Sequence, residues 1–134
     1  MEAQIIFEYD IVILITGCRY WSDYNMIFDA LTKYKDKYVL LIHGDCKGAD
    51  KLAGEAATKL KFEIDAKPAD WNKYGRAAGP IRNTEMVKQA AEFHNRGVEV
   101  HVLAFHDDLQ KSVGTKHCVN QAKKYKLNTT LYSH

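Results

Sequence analysis

Apolar runs alternate with stretches of helical periodicity along most of the chain. Residues 10–16 (DIVILIT) form a nearly unbroken β-branched run, as in a strand covered on both faces. Gly17 breaks it. Asp23 stands where a helix N-cap belongs, ahead of residues 24–34 with Ile27, Ala30, Leu31 and Tyr34 at helical spacing. Residues 38–42 (YVLLI) predict a second strand, and 49–61 a second helix with Leu52, Ala53, Ala56, Ala57 and Leu60 on one face. A weaker third strand is expected at 62–66. Pro80 suits the first turn of a third helix, which runs to about Arg96 and stops before Gly97. Residues 98–105 (VEVHVLAF) predict a fourth strand, a helix follows over roughly 114–125, and 128–132 predicts a last strand.

Strand, helix and strand in repetition imply parallel strands joined by crossovers. The expected fold is α/β: a single Rossmann-like domain, with a parallel sheet of about five strands and helices on both faces. It spans residues 10–134. Residues 1–9 precede it as an extension, either a loose arm or an edge pairing with a partner subunit. Ligands of such folds bind beyond the carboxyl ends of the strands, where strand order reverses. The unusual loops of this chain all follow strands, so they are expected to meet at that one edge.

Composition narrows the function. With 134 residues, 46% hydrophobic and 27% charged, the chain can bury a core without staples. A net charge of only +2 argues against coating long nucleic acid, which calls for a strongly basic face. No apolar run is long enough to span a bilayer, and the start of the chain lacks a secretory pattern. Three widely spaced cysteines fit reduced thiols, so a cytoplasmic protein is expected.

The loops carry the chemistry. After the first strand, Thr16-Gly17-Cys18-Arg19 either aims an arginine at a phosphate or simply ends the strand with a solvated cation. After the second, His43-Gly44-Asp45-Cys46-Lys47-Gly48-Ala49-Asp50 leaves a helix start open to an anion, although it matches neither a Walker A loop nor G-x-G-x-x-G. Asp50 either complements the helix dipole or accepts a bond from a ribose. Ser112-Val113-Gly114-Thr115 repeats the arrangement, with an ordinary capped helix as the plainer account.

The densest stretch, residues 69–86 (ADWNKYGRAAGPIRNTEM), gathers Trp71, Tyr74, Gly75, Arg76, Gly79, Pro80, Arg82 and Asn83. It offers flat faces, glycines that allow close approach, and two guanidinium forks suited to phosphate. Surface arginines, an Arg82–Glu85 pair and a tryptophan core plug are the alternatives. Cys18, His43, Cys46, His117 and Cys118 match no compact zinc spacing, so no metal is expected, and no cofactor either.

In this order the motifs resemble the YspA-like branch of the SLOG superfamily, which includes the Smf/DNA-processing proteins and the Lonely Guy enzymes. The resemblance is carried by Gly17 and Arg19; by His43, Gly44, Gly48, Ala49 and Asp50; by Ala69, Asp70, Trp71, Tyr74, Gly75, Ala78, Gly79, Arg82, Asn83 and Met86; and by Phe105, Gly114 and Thr115. It implies a Rossmann-like domain that binds a nucleotide or nucleotide-derived small molecule, of a kind found in defence systems and phage genomes. Related domains often associate through helices, which makes a homodimer an expectation. Lonely Guy enzymes carry P-G-G-x-G-T-x-x-E, whereas Lys116, His117 and Cys118 follow Gly114-Thr115 here, so their glutamate is missing.

The first expectation is therefore a binding module. Arg19, Arg82 and the N–H groups near Gly48 and Gly114 would hold phosphates, with Trp71 or Tyr74 against a base or ribose. The second is a hydrolase of an N-glycosidic or phosphoester bond, with Asp50, Glu85 or His43 as acid or base. The third, single-stranded nucleic-acid binding, is disfavoured by the near-neutral charge.

Overall fold

The computed structural model describes residues 8–134. Strands β1 (Ile11–Gly17), β2 (Val39–His43), β3 (Glu63–Ala66), β4 (Glu99–Phe105) and β5 (Asn128–Tyr132) form one parallel sheet in the order β3-β2-β1-β4-β5. The helices are α1 (Tyr24–Thr32), α2 (Ala49–Lys59), α3 (Trp71–Tyr74), α4 (Ala78–Asn95) and α5 (Gly114–Lys124). This is the expected Rossmann-like α/β fold.

Alternation of side chains along β1 splits the core in two. Ile11, Ile13 and Ile15 pack with Ile27 and Leu31 of α1 and the alanines of α2. Val12 and Leu14 pack on the other face with Met86, Val87 and Ala90 of α4 and Cys118 and Ala122 of α5. A central strand covered on both sides has no polar face to spare, which is why β1 reads as an unbroken apolar run.

Helix ends follow local chemistry. The Asp23 carboxylate accepts from the Met26 N–H at 3.1 Å and starts α1. Gly97, with φ of 92°, follows the C-cap Arg96 of α4. Helix α4 begins at Ala78, so Pro80 sits within its first turn, where a missing N–H leaves no broken bond.

Short helical turns inside the loops were not foreseen. The stretch expected as a loop before Pro80 contains the one-turn helix α3 and a 3-10 turn at Gly75–Ala77. Asp70 nucleates α3 by accepting from the Lys73 N–H at 3.1 Å. Residues 1–7 of the expected N-terminal extension lie outside the described residues. Tyr9, at its end, stacks on Tyr38 at 5.2 Å and donates its hydroxyl to Glu63, which anchors the chain entering β1 against β2 and β3.

Candidate functional site

The chain winds outward from β1 through β2 to β3, then returns to the other side of β1 as β4. Connections diverge at that reversal and leave a crevice between the loops after β1 and β4. A cavity of about 530 Å3 opens there. Of the residues singled out in the sequence, Gly17, Arg19, Asp50, Trp71, Arg76 and Gly79 line it, as do Arg82, Asn83, Ser112, Gly114 and Thr115. His43, Gly44, Gly48, Ala49, Tyr74, Gly75 and Glu85 lie outside its lining.

Several of those outside assemble the wall rather than face the cavity. A side chain at Gly48 would overlap the Cys18 carbonyl, and φ of 77° there is a left-handed conformation. The β1 loop can thus lie directly on the start of α2, where the Ala49 N–H donates to the Cys18 carbonyl at 3.1 Å. His43 is buried, and its Nδ1 accepts from the Asp45 N–H at 2.9 Å. Burial holds its pKa below the ordinary histidine range, so the ring stays neutral and shapes the β2 loop.

Arg82 is buried and makes four bonds. Nε donates to Asn83 Oδ1 at 2.9 Å, Nη1 to the Gly44 carbonyl and to the Lys67 carbonyl at 3.3 Å, and Nη2 to Cys46 Sγ at 3.4 Å. They occupy all but one of the five guanidinium N–H groups. Gly44 has no side chain because the guanidinium lies against it; a Cβ there would be 2.5 Å from Nη1. Asn83 continues the network, donating to the Gly114 carbonyl at 3.2 Å. One arginine thereby joins the loops after β2 and β3 to α4, and through Asn83 to α5.

Asp50 is buried, and one carboxylate oxygen accepts from the Gly44 N–H at 3.0 Å and the Cys46 N–H at 3.2 Å. Burial pushes its pKa up to about 6, against the opposing pull of those N–H groups and Arg82. A carboxyl whose folded pKa is raised stabilises the fold fully below its ordinary value, and loses that contribution as pH rises through about 6. Asp50→Asn retains an oxygen for both N–H groups and carries no charge. Its stability, read from urea unfolding, should exceed that of the wild type near neutral pH by on the order of 2–3 kcal/mol. The excess should vanish at low pH; equal pH profiles for the two proteins would contradict the assignment.

At the fourth loop, the Ser112 hydroxyl accepts from the N–H groups of Thr115 at 3.0 Å and Lys116 at 3.3 Å. Two first-turn donors of α5 are thus satisfied within the protein. Gly114 differs from the packed glycines. A Cβ there would meet nothing within 4 Å, so the chain's own packing gives no reason for glycine at a helix start facing the cavity.

Cations and aromatics ring the mouth. Arg19 and Arg76 are exposed and form no ion pair among the described residues. Tyr20 is 81% exposed and Trp71 57%, and the Trp71 ring lies 3.3 Å from where a Cβ of Gly79 would stand. Sequence reasoning missed Tyr20, His106 and Val113, which also line the cavity. Their signal was positional only: each adjoins a loop glycine, an arginine or a strand end. Among the described residues no cluster of three or more His, Cys, Asp or Glu side chains could hold a metal, and no helix is long and apolar enough to cross a membrane. Burial pushes the Cys118 thiol up to about 11, so it remains a protonated packing group.

A parallel sheet in this order, with its crevice at the reversal, defines a Rossmann-like α/β domain. The chain belongs to the YspA, cpYpsA-related SLOG family, whose model matches residues 11–74. The Gene 61 protein of Mycobacterium phage D29 is 37% identical over 120 residues, covering 84% of this chain and 88% of that protein. A phage relative accords with the expected occurrence of such domains in phage genomes.

Proposed function

We propose that the chain binds a nucleotide or nucleotide-derived small molecule at the switch-point crevice, as a sensing or sequestering module. The observation that carries this reading is the bare face of Gly114, open at a helix start in a cavity also lined by two arginines that form no ion pair among the described residues. A helix start attracts an anion, and a missing side chain lets a phosphate approach the Gly114 N–H, which Ser112 leaves uncapped. Arg19 and Arg76 supply charge from the rim, while Tyr20 and Trp71 offer faces to a base. Arg82 contributes one remaining N–H and mainly braces the wall. A volume of about 530 Å3 falls within the usual range for small-molecule sites.

Calorimetry against a panel of nucleoside monophosphates and dinucleotides tests this. Saturable one-site binding of at least one member is expected. No heat from any of them at millimolar concentration would remove the reading.

One observation favours a hydrolase as the second reading. Asp50 faces the cavity with its pKa pushed up to about 6, a value suited to a general acid near neutrality. Free base or phosphate released from the same panel, and abolished by Asp50→Asn, would support it over simple binding. Single-stranded nucleic acid remains the weakest reading, since a +2 chain offers little phosphate attraction.

A further inference from the structure

We propose that His134 is a positioning residue of this site. Its ring ties the loop after β1 to the loop after β4, and its proton regulates how the two lips of the crevice are held. The inference rests on the ligand reading above and adds the regulation of that site.

The residue reaches both lips at once. Nδ1 lies 2.8 Å and 3.0 Å from the two carboxylate oxygens of Asp107, and the His134 backbone N–H donates to the same carboxylate at 2.7 Å. Nε2 lies 2.8 Å from Asp23 Oδ2. The imidazole stacks on the Trp21 indole, with centroids 4.7 Å apart and planes at 19°.

Each contact continues to the cavity. Asp107 follows His106, which lines it. Trp21 closes the turn that presents Arg19 and Tyr20: its backbone N–H donates to the Cys18 carbonyl at 3.1 Å, and its indole N–H to the Asp23 carbonyl at 3.0 Å. The other oxygen of Asp23 caps α1, so that carboxylate is fixed in place.

Chemistry makes the tie dependent on pH. Each ring nitrogen faces a carboxylate, and both can donate only in the imidazolium form. Loss of the proton turns one nitrogen into a lone pair facing an anion, so the ring no longer bonds both lips, although the His134 backbone N–H keeps its bond to Asp107. Asp107 and Asp23 hold the His134 proton more tightly than water does, raising its pKa. The tie is therefore complete below the ordinary histidine range and is lost as pH rises above it. The other groups beside the ring, around a neighbouring cavity of about 250 Å3, are Asp108, His106, the Cys18 thiol and the Tyr20 hydroxyl. The His134 side chain is 51% exposed, so the effect is greatest at low ionic strength.

The test has two arms. In the ligand-free protein, the His134 ring protons and the amides of residues 19–22 and 106–108 are followed by NMR against pH. The amides of both loops should titrate with the ring, at a midpoint above that of an ordinary histidine, and that step should disappear in His134→Gln. In the second arm, AMP affinity is measured for both proteins at about pH 7 and about pH 9, where the wild type should lose about fivefold more affinity than the variant. Loop amides that ignore His134 overturn the proposal whatever AMP does. Equal pH dependence of AMP binding in the two proteins also overturns it and leaves the ligand reading intact. Loops that follow His134 in a protein that never binds AMP uphold the tie and leave the ligand to be identified with the nucleotide panel.

Discussion

Arg82→Met lowers the stability of the domain by about 3–5 kcal/mol, read as a fall in the urea midpoint at unchanged slope. Methionine keeps much of the length and apolar volume of the side chain but none of its donors. The carbonyls of Gly44 and Lys67 and the amide oxygen of Asn83 then lose a charged partner in a buried setting. Each hydrogen bond to a charged group contributes about 1.5–3 kcal/mol, and unsatisfied acceptors add their desolvation cost. A domain of this size has about 5–15 kcal/mol in total, so the variant sits near the folding threshold. Arg82 also lowers the pKa of Asp50, so its removal should move that carboxyl further up. A loss below about 1 kcal/mol would mean that the four-bond network is not a structural brace.

Removing the rim cations should have the opposite signature. The double variant Arg19→Ala, Arg76→Ala keeps its stability within about 0.5 kcal/mol, because both side chains are exposed and form no ion pair among the described residues. Its affinity for a nucleoside phosphate falls by about ten- to a hundredfold for each arginine that meets the phosphate, the range of a charge-assisted hydrogen bond. Calorimetry on the wild type and the variant reads both the loss and a weaker dependence on salt. Unchanged affinity would exclude the rim arginines from ligand contact.

Much of the fold was legible because its signals are local. The β-branched run of β1, the capping Asp23 and the glycine after α4 each declare an element within a few residues. Strand alternation with helices then fixed the parallel sheet, and with it the edge where the loops meet. What escaped depends on partners distant in sequence. Gly44 reads as an open loop glycine until the guanidinium of residue 82 is seen lying against it. Arg82 beside a tryptophan and glycines suggests a phosphate fork, yet three backbone or amide oxygens and a sulfur take up most of its donors. Ser112 could be read as a phosphate seat or a cap, and it accepts from two N–H groups of its own helix. Nothing local marks His134 as the neighbour of Trp21 and Asp23.

Amide NMR shifts of isotopically labelled protein, titrated in turn with the nucleoside monophosphates and dinucleotides of the panel, address the ligand site most directly. The account predicts perturbations concentrated at Arg19, Tyr20, Val113, Gly114 and Thr115. Shifts confined to the outer strands β3 and β5, or none with any member of the panel at millimolar concentration, would contradict it.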